Sequence, residues 1–251
     1  MNDRRMLLKR LVVILLILCA VSVALSESPE SIIDSAYILG NDRNIHIRMD
    51  MIISAGNGTK ERKVEVYIKR TQKTTKTYLH IVSPAFLNKM KFLVHRNENG
   101  DETKWIKTSR GVRRLSLANS SERVFGSDFT VEDFSAMQTE EFTLRMLQPI
   151  TINGEECYAI EAVPLKRNSY SRKIIMVGMR TRLLREVDFF DEEGRKVKQY
   201  TLLSTQNIHG KKYPLLCKME NFEENTSTTL NLKQVDVTRT LEDRIFNKGN
   251  L

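Results

Sequence analysis

The sequence is poor in the residues from which metal centres, disulfide scaffolds and most hydrolytic sites are built. Its four histidines, His46, His80, His95 and His209, are scattered along 251 residues, and no two are spaced as metal ligands within one element. Three cysteines with no Cys-x-x-Cys exclude a disulfide-dense scaffold. There is no Gly-x-Ser-x-Gly elbow, no His-Glu-x-x-His and no phosphate loop. No metal and no cofactor are expected. A low-complexity linker and an internal repeat are also missing, which argues for one domain after the N-terminal segment.

What is present begins with an address. "MNDRRMLLKR" carries Arg4, Arg5, Lys9 and Arg10 against Asp3, and Leu11 to Leu25 is uncharged. A basic lead, an apolar run too short for an ordinary span and small residues at its end read as an export signal over 1–26. Cleavage after Ser26 would start the mature chain near Glu27. Cys19 lacks the small preceding residue of a lipid-attachment box, since Leu18 stands there. The signal takes four basic residues and one acidic residue from totals of 40 and 31, so a charge of about +6 remains. This suits anionic lipid head groups or acidic partners, and export argues against nucleic acid. Cys157 and Cys217 fall in expected strands; a bridge would need those strands adjacent, and two buried thiols are the simpler expectation. Asn57, Asn119 and Asn225 head Asn-x-Ser/Thr triplets, acceptors only in a eukaryotic secretory route.

The period of the apolar residues sets the fold class. "ESPESIIDSAYIL", 27–39, has helical spacing, with Ser28 as cap and Pro29 in the first turn. Thereafter the period is two. Ile45, Ile47, Met49, Met51 and Ile53 alternate, as do Val64, Val66 and Ile68, then Phe142, Leu144 and Met146, then Leu183, Arg185, Val187 and Phe189. Asn57-Gly58, Asn99-Gly100, Asn153-Gly154, Glu193-Gly194 and His209-Gly210 punctuate the runs as hairpin turns. Ten or eleven antiparallel strands are expected, mainly β, in a single large curved sheet that forms an unclosed barrel. Short helices over 83–90 and 130–138 complete it.

One stretch breaks this pattern. "RVFGSDFTVEDF", 123–134, places Asp128, Glu132 and Asp133 among Phe125, Phe129 and Phe134 in an otherwise basic chain. Its carboxylates lack the alternating spacing of a calcium loop. They do suit a helix start after a turn at Gly126, with Thr130 and Asp133 exchanging hydrogen bonds in a capping box. Arg110, Arg113 and Arg114 lie just upstream as candidate counter-charges. A serine hydrolase triad using Ser127, Asp128 and one of the histidines is the enzymatic alternative.

The run "TKWIKTSRGVRRLSLANSSERVFGSDFTVEDF" resembles the periplasmic outer-membrane lipoprotein-sorting proteins of the LolA-like family. The carriers of the resemblance are Trp105, Arg113-Arg114, Gly126-Ser127-Asp128-Phe129-Thr130 and Glu132-Asp133, with "YPLLCKMENFEENTSTTLNLKQVDVTRTLEDRIF" resembling the family's last strands. The segment "SLANSSE" is less basic than is usual there. The resemblance covers nearly all of 27–250. It implies an unclosed barrel lidded by helices, with an apolar cavity for lipoprotein acyl chains or another lipid, working as a non-enzymatic monomer in the periplasm. Transient membrane-protein partners would supply and receive the cargo, and an envelope-lipid sensor of the same fold is a further option. On this reading Phe125, Phe129 and Phe134 line or gate the cleft, with Phe129 at its rim. Arg113 and Arg114 pair with Asp128, Glu132 or Asp133 to set the lid.

Overall fold

The computed structural model describes residues 27–36, 42–56, 58–116, 121–133, 137–166 and 168–251. The expected signal, the helix residues Tyr37 and Leu39, the acceptors Asn57 and Asn119, and Phe134 lie outside the described residues.

Ser28 caps the short helix α1 (Pro29–Ser35), its side chain accepting from the Ser31 N–H, and Pro29 occupies the first turn as the sequence predicts. Then come β1 (Asn44–Ala55), β2 (Gly58–Arg70), β3 (Thr75–Ser83), β4 (Lys91–Arg96), β5 (Glu102–Thr108) and β6 (Gly111–Leu115). After a long connection follow β7 (Phe142–Met146), β8 (Ile150–Ile152), β9 (Glu155–Pro164), β10 (Arg172–Gly178), β11 (Leu184–Phe190), β12 (Lys196–Ile208), β13 (Lys211–Asn221) and β14 (Thr226–Asp236). The count is fourteen, above the ten or eleven expected. The additional strands are short edge pieces such as "GVRRL" and "ITI", which bury too little to show a clean alternation.

All strand pairs are antiparallel. The order is β6-β5-β4-β3-β2-β1-β14-β13-β12-β11-β10-β9-β7, with β8 also on β9. The chain therefore marches outward from β1 to β6, crosses to the far edge at β7, and marches back until β14 pairs with β1. The sheet is unclosed, with its free edges at β6 and β7. Glycine-containing turns make about half of the hairpins; Asn153-Gly154 and His209-Gly210 hold two successive residues at positive φ, which a tight two-residue turn needs.

Alternation gives the sheet two different faces. The inner face carries Ile45, Ile47, Met49 and Met51 of β1, Val64, Val66 and Ile68 of β2, Ile160 and Ala162 of β9, Tyr200 and Leu202 of β12, and Leu230 and Leu232 of β14, all buried in one core with Ile32 of α1. Leu183, Arg185, Val187 and Phe189 are buried as their spacing predicts. Phe142, Leu144 and Met146 are only partly covered, because β7 is an edge. On the outer face the C-terminal residues Leu241, Phe246 and Leu251 pack over Tyr78 and Leu93, with Tyr67 and Trp105 beside them. Among the described residues no helix is long and apolar enough to cross a membrane. Cys157 and Cys217 are free, buried thiols on β9 and β13, with three strands between them.

Candidate functional site

The connection from β6 to β7 joins the two free edges of the sheet, and its described part crosses the inner face. Residues 122–131 fold back on themselves there. Val124 N–H donates to Phe129 O and Val131 N–H to Glu122 O, both at 2.9 Å, and Arg123 bridges Thr130 antiparallel. The tip turns at Phe125 and Gly126, with φ of 55° and 68°. A turn at Gly126 is expected from the sequence; the closed loop is not. The Thr130–Asp133 exchange forms, with Thr130 N–H on the Asp133 carboxylate at 2.8 Å and Asp133 N–H on Thr130 Oγ1 at 3.4 Å. It caps a turn at 131–133, where a helix from 130 is expected. Over 83–90 the helix is a single 3-10 turn, Ala85–Leu87.

The loop is fastened at both its apolar and its polar side chains. Val124, Phe125, Phe129 and Val131 are all buried in the inner-face core, and the Phe129 ring meets Tyr200 edge-on at 6.4 Å. Phe129 is 2% exposed, so it is a core residue and not a residue of the rim. Asp128 accepts from Arg123, Thr226 and Thr228, and its own N–H donates to Thr228 Oγ1 at 2.8 Å. Glu132 accepts from Lys173 Nζ at 2.5 Å. Asp133 accepts from Lys198 Nζ at 2.9 Å, and Lys198 also donates to the Tyr170 hydroxyl. Both lysines lie within 5.7 Å of the Tyr170 and Phe189 ring centres. Burial, then the Asp133 and Glu132 charges, push the Tyr170 hydroxyl's pKa far up, so it stays protonated.

The counter-charges are therefore other than the sequence suggests. Arg113 pairs with Glu122 at the neck of the loop. Arg114 stands opposite Trp105, whose side chain belongs to the outer face, so the neighbouring arginines point to opposite sides of the sheet. Arg123, Lys173 and Lys198 take the three carboxylates. Lys173 and Lys198 carried a signal in the sequence. Lys173-x-Ile175-x-Val177 and Lys198-x-Tyr200-x-Leu202 each place a cation at the head of an apolar face, where an uncompensated charge is costly.

Ser127 is not placed as a nucleophile. It is fully buried and its hydroxyl donates to Val124 O at 2.7 Å, where a nucleophile would donate to a base. His46, His80 and His95 are on the outer face, in register with Arg48, Tyr78 and Leu93, and His209 is in a hairpin turn. An open groove on that outer face, lined by His80, Lys89, Lys91 and Lys107, is remote from the loop.

A family model described as "Uncharacterized protein" matches residues 73–251. No curated protein matches the sequence significantly. Among solved structures, the chain is similar to a domain from Vibrio parahaemolyticus described as a candidate outer membrane lipoprotein-sorting protein. The TM-score is 0.77 and the identity 21%, over 88% of this chain and 95% of that one. A DUF1329 family protein from Desulfovibrio piger aligns at TM-score 0.75 and 23% identity, over 84% and 92%. A LolA superfamily protein from Nitrosomonas europaea aligns at 0.68 and 20%, over 90% and 100%. At these identities the likeness is one of fold.

Proposed function

The chain belongs to the family matched over residues 73–251 and has the LolA-type fold, and on that footing we propose that it is a lipid-binding carrier of the cell envelope. In this reading residues 1–26 export it, and residues 27–251 work in the periplasm as one monomeric unit. It holds lipoprotein acyl chains or another lipid against the inner face of the sheet and delivers them toward the outer membrane, exchanging cargo with membrane-protein partners.

One observation carries the proposal. Among the described residues the apolar inner face is covered by a loop and a seven-residue helix, not by a second sheet. A cover of this kind can be displaced without dismantling the strands. An acyl chain taking its place gains about 0.8 kcal/mol per buried CH₂, so ten methylenes supply roughly 8 kcal/mol against the fastenings lost. Phe125 and Phe129, now packed on the sheet, would then lie along the chain, and Met49, Met51 and Met219 adapt to its shape. Arg113 with Glu122, and Asp128, Glu132 and Asp133 with their partners, set how easily the cover lifts. Phe134 continues the same segment. The work is binding and release, with no bond made or broken.

Native mass spectrometry of the protein from its own envelope tests this. Copurified lipid or lipoprotein is expected. Recovery with no lipid, and no uptake of added fatty acid or phospholipid, would contradict it. Production of lysolipid would favour the ester hydrolase, and a stable complex with an envelope protein and no lipid the sensor.

A further inference from the structure

Arg62 on β2, Lys173 on β10 and Lys198 on β12 each head the apolar face of their strand. The loop supplies Glu132 to Lys173 and Asp133 to Lys198. Among the described residues of the loop no carboxylate is paired with Arg62. Its Nε and Nη1 atoms are sealed from solvent and have no hydrogen-bond partner, and it forms no ion pair among the described residues. Burial lowers its pKa. What covers it is the loop tip: a side chain added at Gly126 would begin 3.7 Å from Nη2 and 3.9 Å from Nη1. The neighbouring Phe125 sits at positive φ, a conformation that L residues other than glycine seldom adopt. Two sealed, unpartnered N–H groups of a half-buried guanidinium under such a turn cost stability. An anion reaching it would remove that cost, and Arg is suited to hold a carboxylate or phosphate by two parallel hydrogen bonds.

We infer that Arg62 receives the anionic head group, carboxylate or phosphate, of an amphiphile whose tail lies on the inner face, the head displacing the Phe125-Gly126 turn. Met51 stands directly beside Arg62 on β1, and Leu230 beside Met51 on β14, so an apolar surface starts at the guanidinium. The inference rests on the carrier reading and adds a charge preference to it.

The test compares three ligands with one oleoyl tail: oleate, oleoyl lysophosphatidate and uncharged monoolein. Wild type is expected to bind at least one of the anions tenfold or more tighter than monoolein, and the better of the two identifies the head group. Arg62→Met should bind all three alike, with monoolein affinity within twofold of wild type, and should melt no lower. Arg62→Lys should restore part of the preference. Equal binding of the three by wild type, a preference that survives in Arg62→Met, or a clear drop in its melting temperature would overturn the role of Arg62 and leave the carrier standing. Failure of wild type to bind any of them would remove both.

Discussion

The Asp128 carboxylate is 1% exposed and accepts from Arg123 Nη2 at 2.5 Å, Thr226 Oγ1 at 2.5 Å and Thr228 Oγ1 at 2.7 Å. An ionised group so deeply placed persists only because its lone pairs are filled. Asp128→Ala leaves two threonine hydroxyls without their acceptor, while Arg123 keeps Glu224 and the Ser127 carbonyl, and should cost about 1–3 kcal/mol, read by urea denaturation; no measurable loss would mean the network is slack. Phe129→Glu should fail to fold, since it drives a carboxylate against Tyr200; a normal melt would return Phe129 to the rim where the sequence places it. On the outer face, His46 and His80 are held below their ordinary value of 6.5, chiefly by burial, which outweighs the pull of Glu65. Arg48 and Arg239 press His46 the same way and Asp236 opposes them, while Lys91 presses His80 down. The folded chain thus binds fewer protons than the unfolded chain just below pH 6.5. Stability from these residues is full above that value and is lost as pH falls from 6.5 through the lower folded values. The melting temperature should be lower at pH 5.5 than at 7.5, with a smaller difference in His46→Gln; an equal melt at both would contradict the assignment.

At the scale of elements, the loop 122–131 was half legible. The run "RVFGSDFT" marks itself by composition, and the glycine turn and the Thr130–Asp133 exchange follow from local rules that hold whatever the surroundings. Asp128 finds Arg123 five residues back, but Glu132 and Asp133 go to lysines 41 and 65 residues away, on strands whose order only the assembled sheet defines. Arginines close in sequence were the natural choice, yet alternation along β6 turns Arg114 to the wrong side. The better clue was a cation on an apolar face, seen at Arg62, Lys173 and Lys198. If the loop is a cover, loosening it should speed entry. Thr228→Val removes two hydrogen bonds to Asp128, and should cost roughly 1–3 kcal/mol while raising the rate of fatty-acid uptake in stopped-flow fluorescence. Lower stability with an unchanged rate would make the loop a permanent part of the core.

At the scale of the molecule, the fold class was legible because period-two alternation and Gly turns recur along most of the chain, and β1 pairing with β14 joins the first and last strands in one sheet. The free edges at β6 and β7 were not, since both strands are short and half exposed. They matter most, because the segment between them puts Val124, Phe125, Phe129 and Val131 over the inner face. Hydrogen exchange with and without a saturating fatty acid tests that directly. Amides of 122–131, including Val124 and Val131, should lose protection when lipid binds, while those of β1 and β14 should not. Unchanged protection of the loop in a protein that has taken up lipid would contradict this.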